Sequence, residues 1–405
     1  MLKFRWETEF KETEIGEIPR DWEIRKLGEV VCIKQGKNIS TLKLKDWGYP
    51  VFGANGLIGY TDTYHYEEPQ VLIACRGSTC GIINWSFPKS FVNNNAMTLL
   101  PKSIDKKFLY FSMQLNFISG RIDETITGTG QPQITKETLE PFLIIYPPLP
   151  EQSRIATVLS YFDDLIEVKK RQNEILEKTA MAIFKSWFID FELFRACPEQ
   201  ERGNYEFVYN EELGKEIPKG WEVSPIEKGF YLIKGRKYEL FDDYFEDCSP
   251  YLLIETFKTG KIEFWTIEKE PQVEENDVVL VADGESSGKV LRYQKGILGS
   301  TLLTLKPKRE NSIELKHLIY LTLKFYEDEI MSHRTGSAIP HLDKDFLKFF
   351  LILLPPSPIL QSFHSLVEPL FQKIILNQKQ IMTLRKIRDT LLPLLVFGKL
   401  RIEEV

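Results

Sequence analysis

The chain has 405 residues, 43% of them hydrophobic and 12% aromatic, enough to fill two or three domain cores and too apolar for a disordered chain. Its longer apolar runs, such as Phe349–Leu354, fall far short of the roughly 18 residues of a membrane span, and the opening MLKFRWETEFKETE lacks the apolar stretch of a secretory signal. A net charge of −6 argues at face value against a nucleic-acid binder; five cysteines (Cys32, Cys75, Cys80, Cys197, Cys248), odd in number and without a CxxC, predict reduced thiols in a cytoplasmic protein.

The predicted elements occur twice. GEIPRDWEI begins at Gly16 and GKEIPKGWEV at Gly214, which sets Ile18-Pro19 on Ile217-Pro218 and Trp22-Glu23 on Trp221-Glu222 at an offset of 199. Ile33-Lys34 matches Ile233-Lys234 at 200, TGTGQPQITKETL (Thr127–Leu139) matches TGSAIPHLDKDFL (Thr335–Leu347) at 208, and YPPLPEQ (Tyr146–Gln152) matches LPPSPILQ (Leu354–Gln361). Within each copy, short β-branched runs such as QVLIACRG, FLIIYPP, DVVLVADG and KFFLILLPP read as strands between turn residues. Short helices such as Leu315–Ile330 intervene, so each globular part is α+β.

A Pro-rich stretch then leads each copy into a long helix. Residues 151–190 contain neither Gly nor Pro, and Leu159, Phe162, Ile166, Leu176, Ala180, Ile183 and Trp187 take heptad a and d positions, interrupted by Lys169 and Asn173. The second copy offers Val367, Leu370, Ile374, Ile381, Leu384, Leu391 and Leu395, interrupted by Asn377 and Arg388, with Pro393 expected to kink or end the helix. Forty residues at 1.5 Å each make a helix of about 60 Å. Seams this narrow suit helix–helix pairing better than each helix covering its own domain. The predicted architecture is therefore two similar globular domains joined by two long antiparallel helices in a coiled coil, a pseudo-twofold internal repeat. Its parts are a first globular domain (1–150), first long helix (151–190), acidic connector (191–213), second globular domain (214–358), and second long helix with tail (359–405).

No motif supports catalysis. DGESSGKV (Asp283–Val290) resembles a phosphate loop but is one residue short between its glycines and has Val290 where Ser or Thr is needed. YPPLP at Tyr146 lacks the preceding Asn or Asp of an amino-methyltransferase, and no HExxH occurs. His65, His317, His333, His341 and His364 show no metal-ligand spacing, so no metal site is expected.

The charge is unevenly placed: 14 basic against 13 acidic residues over 16–150, 20 against 24 over 214–358, 2 against 7 over 190–213, and 7 against 4 over 359–405. Basic and amide residues cluster beside turn glycines in both heads, the chemistry that reads phosphates and base edges. In the first head these candidate DNA contacts are Lys34, Gln35, Lys37, Asn38, Arg76, Ser78, Asn93, Asn94, Asn95, Thr127, Thr129 and Gln131. In the second they are Lys234, Arg236, Lys237, Lys258, Lys261, Lys289, Arg292, His333, Arg334, Ser337 and His341.

The order of WE after an EIP turn, PPLPEQSRIATVLSYFDDLIE (Pro147–Glu167), KSWFIDFE (Lys185–Glu192) and a repeat of the whole resembles the DNA-specificity subunit of type I restriction–modification systems over nearly the full chain. The second copy departs from the pattern, with ILQSFHSL for EQSRIATV and GSAIPHL for GTGQPQI. The resemblance implies two target-recognition domains, each reading half of a split double-stranded DNA site, and a helix pair that sets the spacing. It further implies a noncatalytic subunit that recruits two modification (methyltransferase) subunits and restriction (translocase/nuclease) subunits. No cofactor is then expected on this chain, with S-adenosylmethionine, ATP and Mg on the partners. A specificity subunit of a related restriction system and a two-headed protein-binding scaffold remain the alternatives.

Overall fold

The computed structural model describes residues 2–128, 130–195, 205–309, 312–336 and 339–404. It divides into two compact units, Met1–Ile166 with Leu384–Val405, and Glu167–Thr383. The division falls inside both long helices, Leu149–Phe184 and Ser357–Val396.

In the first unit an antiparallel sheet orders Val31–Gln35, Ala96–Pro101, Val71–Ala74 and Ile83–Trp85. All of Val71–Ala74 is buried, as a central strand covered on both faces requires. One cover is the helix Lys106–Ile118, started by Asp105, whose Oδ1 accepts from the Lys107 and Phe108 amides at 2.9 Å each. Glu23–Lys26 pairs with Leu143–Tyr146, and Leu2–Trp6 with Leu400–Glu404. The core joins this sheet to both long-helix segments of the unit through Ile155, Leu159, Leu392, Leu395 and Val396.

The second unit repeats the plan. Phe230–Lys234, Leu302–Pro307, Val278–Val281 and Val290–Leu291 form the matching sheet, the helix Ile313–Phe325 lies at the matching place, and Glu222–Pro225 pairs with Leu351–Leu354. The ladders correct one alignment. Val31–Gln35 pairs with Pro101–Met97, and Phe230–Lys234 with Pro307–Leu303, so Gln35 corresponds to Lys234 and the offset stays at 199. The Ile-Lys identity at 200 is coincidental; hydrogen-bond register outweighs a two-residue match.

Within each unit the two helix segments pack together. In the second unit, Asn173 and Asn377 are buried and bonded at 2.8 Å, and Lys169 Nζ meets Gln380 Oε1 at 2.6 Å, which makes the segments antiparallel. In the first, Arg388 pairs with Asp163 at 2.5 Å. The residues that interrupt the apolar heptads are thus the ones that bond across the pair. The buried face is also wider than heptad a and d: Leu176, Ile183, Val367, Leu370 and Ile374 share the second core with Phe184, Phe363 and Phe371, while Leu159, Phe162 and Leu391 belong to the first. Ile166 and Ile381 are buried outside both cores, and Leu384 is half-buried.

Pro393 does not end its helix, which runs on to Val396. A mid-helix proline costs about 3 kcal/mol, while burying Leu392, Leu395 and Val396 returns about 1.5–3 kcal/mol each. The stop comes at Gly398, whose φ of 69° suits glycine and whose Cβ position lies 2.5 Å from Pro19 Cγ. KSWFI (Lys185–Ile189) forms a π-turn that closes the first long helix, placing Phe188 and then Phe191 and Phe194 against Trp221.

Candidate nucleic-acid interface

In the first head, backbone hydrogen bonds draw four separate loops into one surface. Strand Val31–Gln35 ends at Gly36, whose amide donates to Ala96 O, and the Lys37 amide donates to Val92 O. A Cβ on Gly36 would stand 1.9 Å from Asn93 O, so this approach admits only glycine. The Cys75 amide donates to Asn95 O, Gly77 to Pro132 O and Ile134 to Cys75 O, while Thr127 and Gln133 exchange both bonds. Lys37, Asn38, Arg76, Ser78, Thr127 and Gln131 are exposed on these loops, and Lys34 and Gln35 are exposed at the strand end that leads into them. Gln35 Nε2 donates to Asn94 O at 2.7 Å. Asn93 is corrected: it is buried, and its Oδ1 accepts from the Asn95 amide at 2.9 Å, a turn-holding role. Thr129 lies outside the described residues.

The second head repeats this frame bond for bond. Gly235 donates to Leu302 O, Arg236 to Leu298 O, Gly284 to Pro340 O and Leu342 to Ala282 O, and Thr335 pairs with His341. A Cβ on Gly235 would lie 2.1 Å from Gly299 O. The frame matches Gln35 with Lys234, Lys37 with Arg236, Arg76 with Asp283, and Gln133 with His341. Charge differs at two of these positions, Gln35 against Lys234 and Arg76 against Asp283, while Lys37 and Arg236 are both cationic. Asp283 holds Lys234 at 2.7 Å and His341 Nδ1 at 2.8 Å. Burial works to raise its pKa, and Lys234 and His341 overcome that and hold it below the usual carboxylate value. In the first head, Lys34, Lys37 and Arg76 make no ion pair with another described residue.

Around this frame Arg236 and Lys237 are exposed, and Arg334 Nη1 donates to Glu285 O at 2.5 Å. His333 is stacked on Phe346 with ring centres 3.8 Å apart. Lys258, close to Glu255, lines a groove of about 330 Å³ whose other wall is Asp283–Ser286. Lys261 is exposed beyond the helix Ile254–Thr259, and Lys289 is half-buried on the turn after Ser287. Ser337 lies outside the described residues.

Arg292 is a second correction. It is buried, with its guanidinium 4.5 Å from the Phe371 ring centre, 4.7 Å from that of Tyr320, and donating to Asn276 O. Burial lowers its pKa, and it cannot meet DNA. Gln133 and Asp283 are the residues that the loop composition did not single out. Both occupy sequence segments noted for other reasons, but only the strand pairing shows that they share the surface.

The histidines also depart from expectation. Among the described residues, His317, His364 and Glu368 form a group whose ligand atoms lie within 4.8 Å of one another. Burial first, then Arg292, His364 and Lys316, depress the His317 pKa to about 2.

The repeated head and the paired helices together define a two-headed recognition protein, and comparison with known proteins agrees. The family described as type I restriction modification DNA specificity domain matches residues 19–178 and 218–386, and the chain belongs to that family. It is 36% identical to the type I restriction enzyme MjaIX specificity subunit of Methanocaldococcus jannaschii, covering 100% of this chain and 99% of that one. It is 24% identical to the HindI specificity subunit of Haemophilus influenzae over 76% and 79% of the two chains. The crystal structure of the S subunit from M. genitalium covers 93% of this chain and 96% of its own, with a TM-score of 0.57 at 21% identity, and shows the same fold. No described helix is long and apolar enough to cross a membrane.

Proposed function

We propose that this chain is the noncatalytic DNA-recognition subunit of a type I restriction–modification complex, each head reading one half of a bipartite double-stranded site. The observation that carries this reading is the common backbone frame with different polar side chains at matched positions. Gln35, Lys37 and Arg76 in one head stand where Lys234, Arg236 and Asp283 stand in the other. A fixed frame with exchanged donors and acceptors suits two surfaces that read different base sequences. The antiparallel helix pair, its register held by Asn173 and Asn377, would set the spacing between half-sites. Modification and restriction subunits would supply the chemistry, with S-adenosylmethionine, ATP and Mg on those partners, in the cytoplasm.

The test is binding to duplex DNA by the chain together with its modification partner. Substituting Lys37→Ala or Arg76→Ala should weaken binding and lower the salt slope by about one per lost phosphate contact. Inserting one heptad into both long helices should change the preferred spacer between half-sites. A spacer preference left unchanged removes the measuring role, and absence of sequence-selective binding removes the reading itself.

A further inference from the structure

The second head contains a polar group that DNA reading does not use. His317 lies on the helix Ile313–Phe325, while His364 and Glu368 sit one turn apart on the second long helix, on a common face. His317 is fully buried, and the other two are half-buried, open to solvent on one side. His317 Nδ1 lies 3.1 Å from His364 Nδ1, and its Nε2 lies 3.0 Å from Glu368 Oε2. The latter contact is close without being a hydrogen bond: the alignment leaves both buried atoms without a hydrogen-bond partner.

Glu177 and Glu368 flank the buried guanidinium of Arg292, and Asp277 is shared by Lys306 and Lys316, so these six charges balance. Glu177 Oε1 accepts from Tyr293 and Tyr320, and Glu368 Oε1 accepts from Gln372 Nε2, which leaves Glu368 Oε2, beside His317 Nε2, as the carboxylate oxygen without a hydrogen-bond partner.

We propose that His317, His364 and Glu368 form a binding site for a divalent transition metal of the zinc class, which ties the helix Ile313–Phe325 of the second head to the second long helix. Two imidazoles and one carboxylate are a zinc, cobalt or nickel ligand set, whereas Mg and Ca favour all-oxygen surroundings. Tetrahedral zinc with bonds of about 2.0–2.2 Å sets its ligand atoms roughly 3.4 Å apart. With one ligand atom from each residue the three lie within 4.8 Å of one another, and the half-exposed His364 and Glu368 have the rotamer freedom to close on an ion. Water from the open side completes the shell. Among the described residues the first head has no matching group, because Tyr110 takes the place of His317 in its matching helix Lys106–Ile118.

The experiment uses the untagged full-length chain, stripped with a chelator and titrated with Co²⁺ in the absence of DNA. One equivalent is expected, with visible d–d absorption bands that zinc displaces. His364→Ala and Glu368→Gln, both at half-exposed positions, should keep the circular dichroism of the parent and lose affinity about tenfold or more. Zinc should raise the melting temperature of the parent by several degrees and leave both variants unmoved. Absence of visible bands at micromolar cobalt, or equal binding by the parent and both variants, would overturn the site and leave a His317–His364 hydrogen bond beside Glu368.

Discussion

Arg401, four residues from the end of the chain, organises the first unit more than any residue of the recognition loops. Its guanidinium reaches Glu151 through Nε at 2.5 Å and Nη2 at 2.6 Å, Glu7 at 2.7 Å, and Asp21 at 3.0 and 3.1 Å, and it lies over the Trp22 ring. Burial opposes its charge, and Glu151 and Asp21 overcome it and raise its pKa. The clamp explains part of the PPLPEQ segment: Glu151 also accepts from Trp22 Nε1 at 3.1 Å, and Gln152 joins Pro147 O to the Asp105 amide. Where the second copy reads ILQ, there is no counterpart glutamate, and Trp221 sits instead among Phe188, Phe191 and Phe194 with its indole N–H unpartnered. Arg401→Ala would strand the buried carboxylates of Glu7 and Glu151. It should therefore cost about 3–5 kcal/mol of stability, read by denaturant unfolding at neutral pH. A loss under 1 kcal/mol would mean that the clamp is solvated in solution.

At the scale of elements, the polar interruptions of the long helices matter as much as their apolar stripe. Asn377 is fully buried and donates to Asn173 Oδ1. An Asn–Asn pair inside an apolar seam lowers stability relative to leucine but penalises every other register, because a shifted helix leaves both amides unpaired. Asn377→Leu alone should cost about 1–3 kcal/mol, as it orphans Asn173. The double substitution Asn173→Leu with Asn377→Leu should recover that loss while relaxing register, seen as mixed association states in light scattering. A double variant as destabilised as the single one would show that the pair contributes no coupling. Reading the sequence located both helices to within a few residues, because apolar spacing without Gly or Pro is a local signal. It did not reveal that their ends sit in the cores of the heads, since that widening of the apolar face appears only once Phe363 and Phe371 are seen beside Phe184.

For the whole molecule, the perturbed groups set the direction of pH dependence. His317 binds its proton near pH 6.5 when unfolded and only near 2 when folded. The unfolded state therefore holds the extra proton between those values, so stability is complete above about pH 6.5 and falls as pH drops, by up to ~1.4 kcal/mol per unit. Glu7, Asp21, Asp277 and Asp283 have lowered pKa values, and their contribution is lost at lower pH, as each carboxylate takes up a proton and releases its partner. The melting temperature should decline between pH 7 and 5 and fall further below about pH 4.5. His317→Gln should flatten the first decline and leave the second; an equal slope in the variant would assign the upper transition elsewhere.

The sequence by itself determined the duplication, the α+β heads and the two long helices, because each is written in local spacing and in segments that recur in order. Tertiary structure alone decided which loop residues share a surface. Lys37, Arg76 and Gln133 are brought together by backbone bonds between distant loops, whereas Arg292 and Asn93, with the same residue chemistry on similar loops, turn inward. Composition records what a side chain can bond, and not which way its strand register points it. For the same reason His317 and His364, 47 residues apart, read as scattered until the helix Ile313–Phe325 was packed against the second long helix.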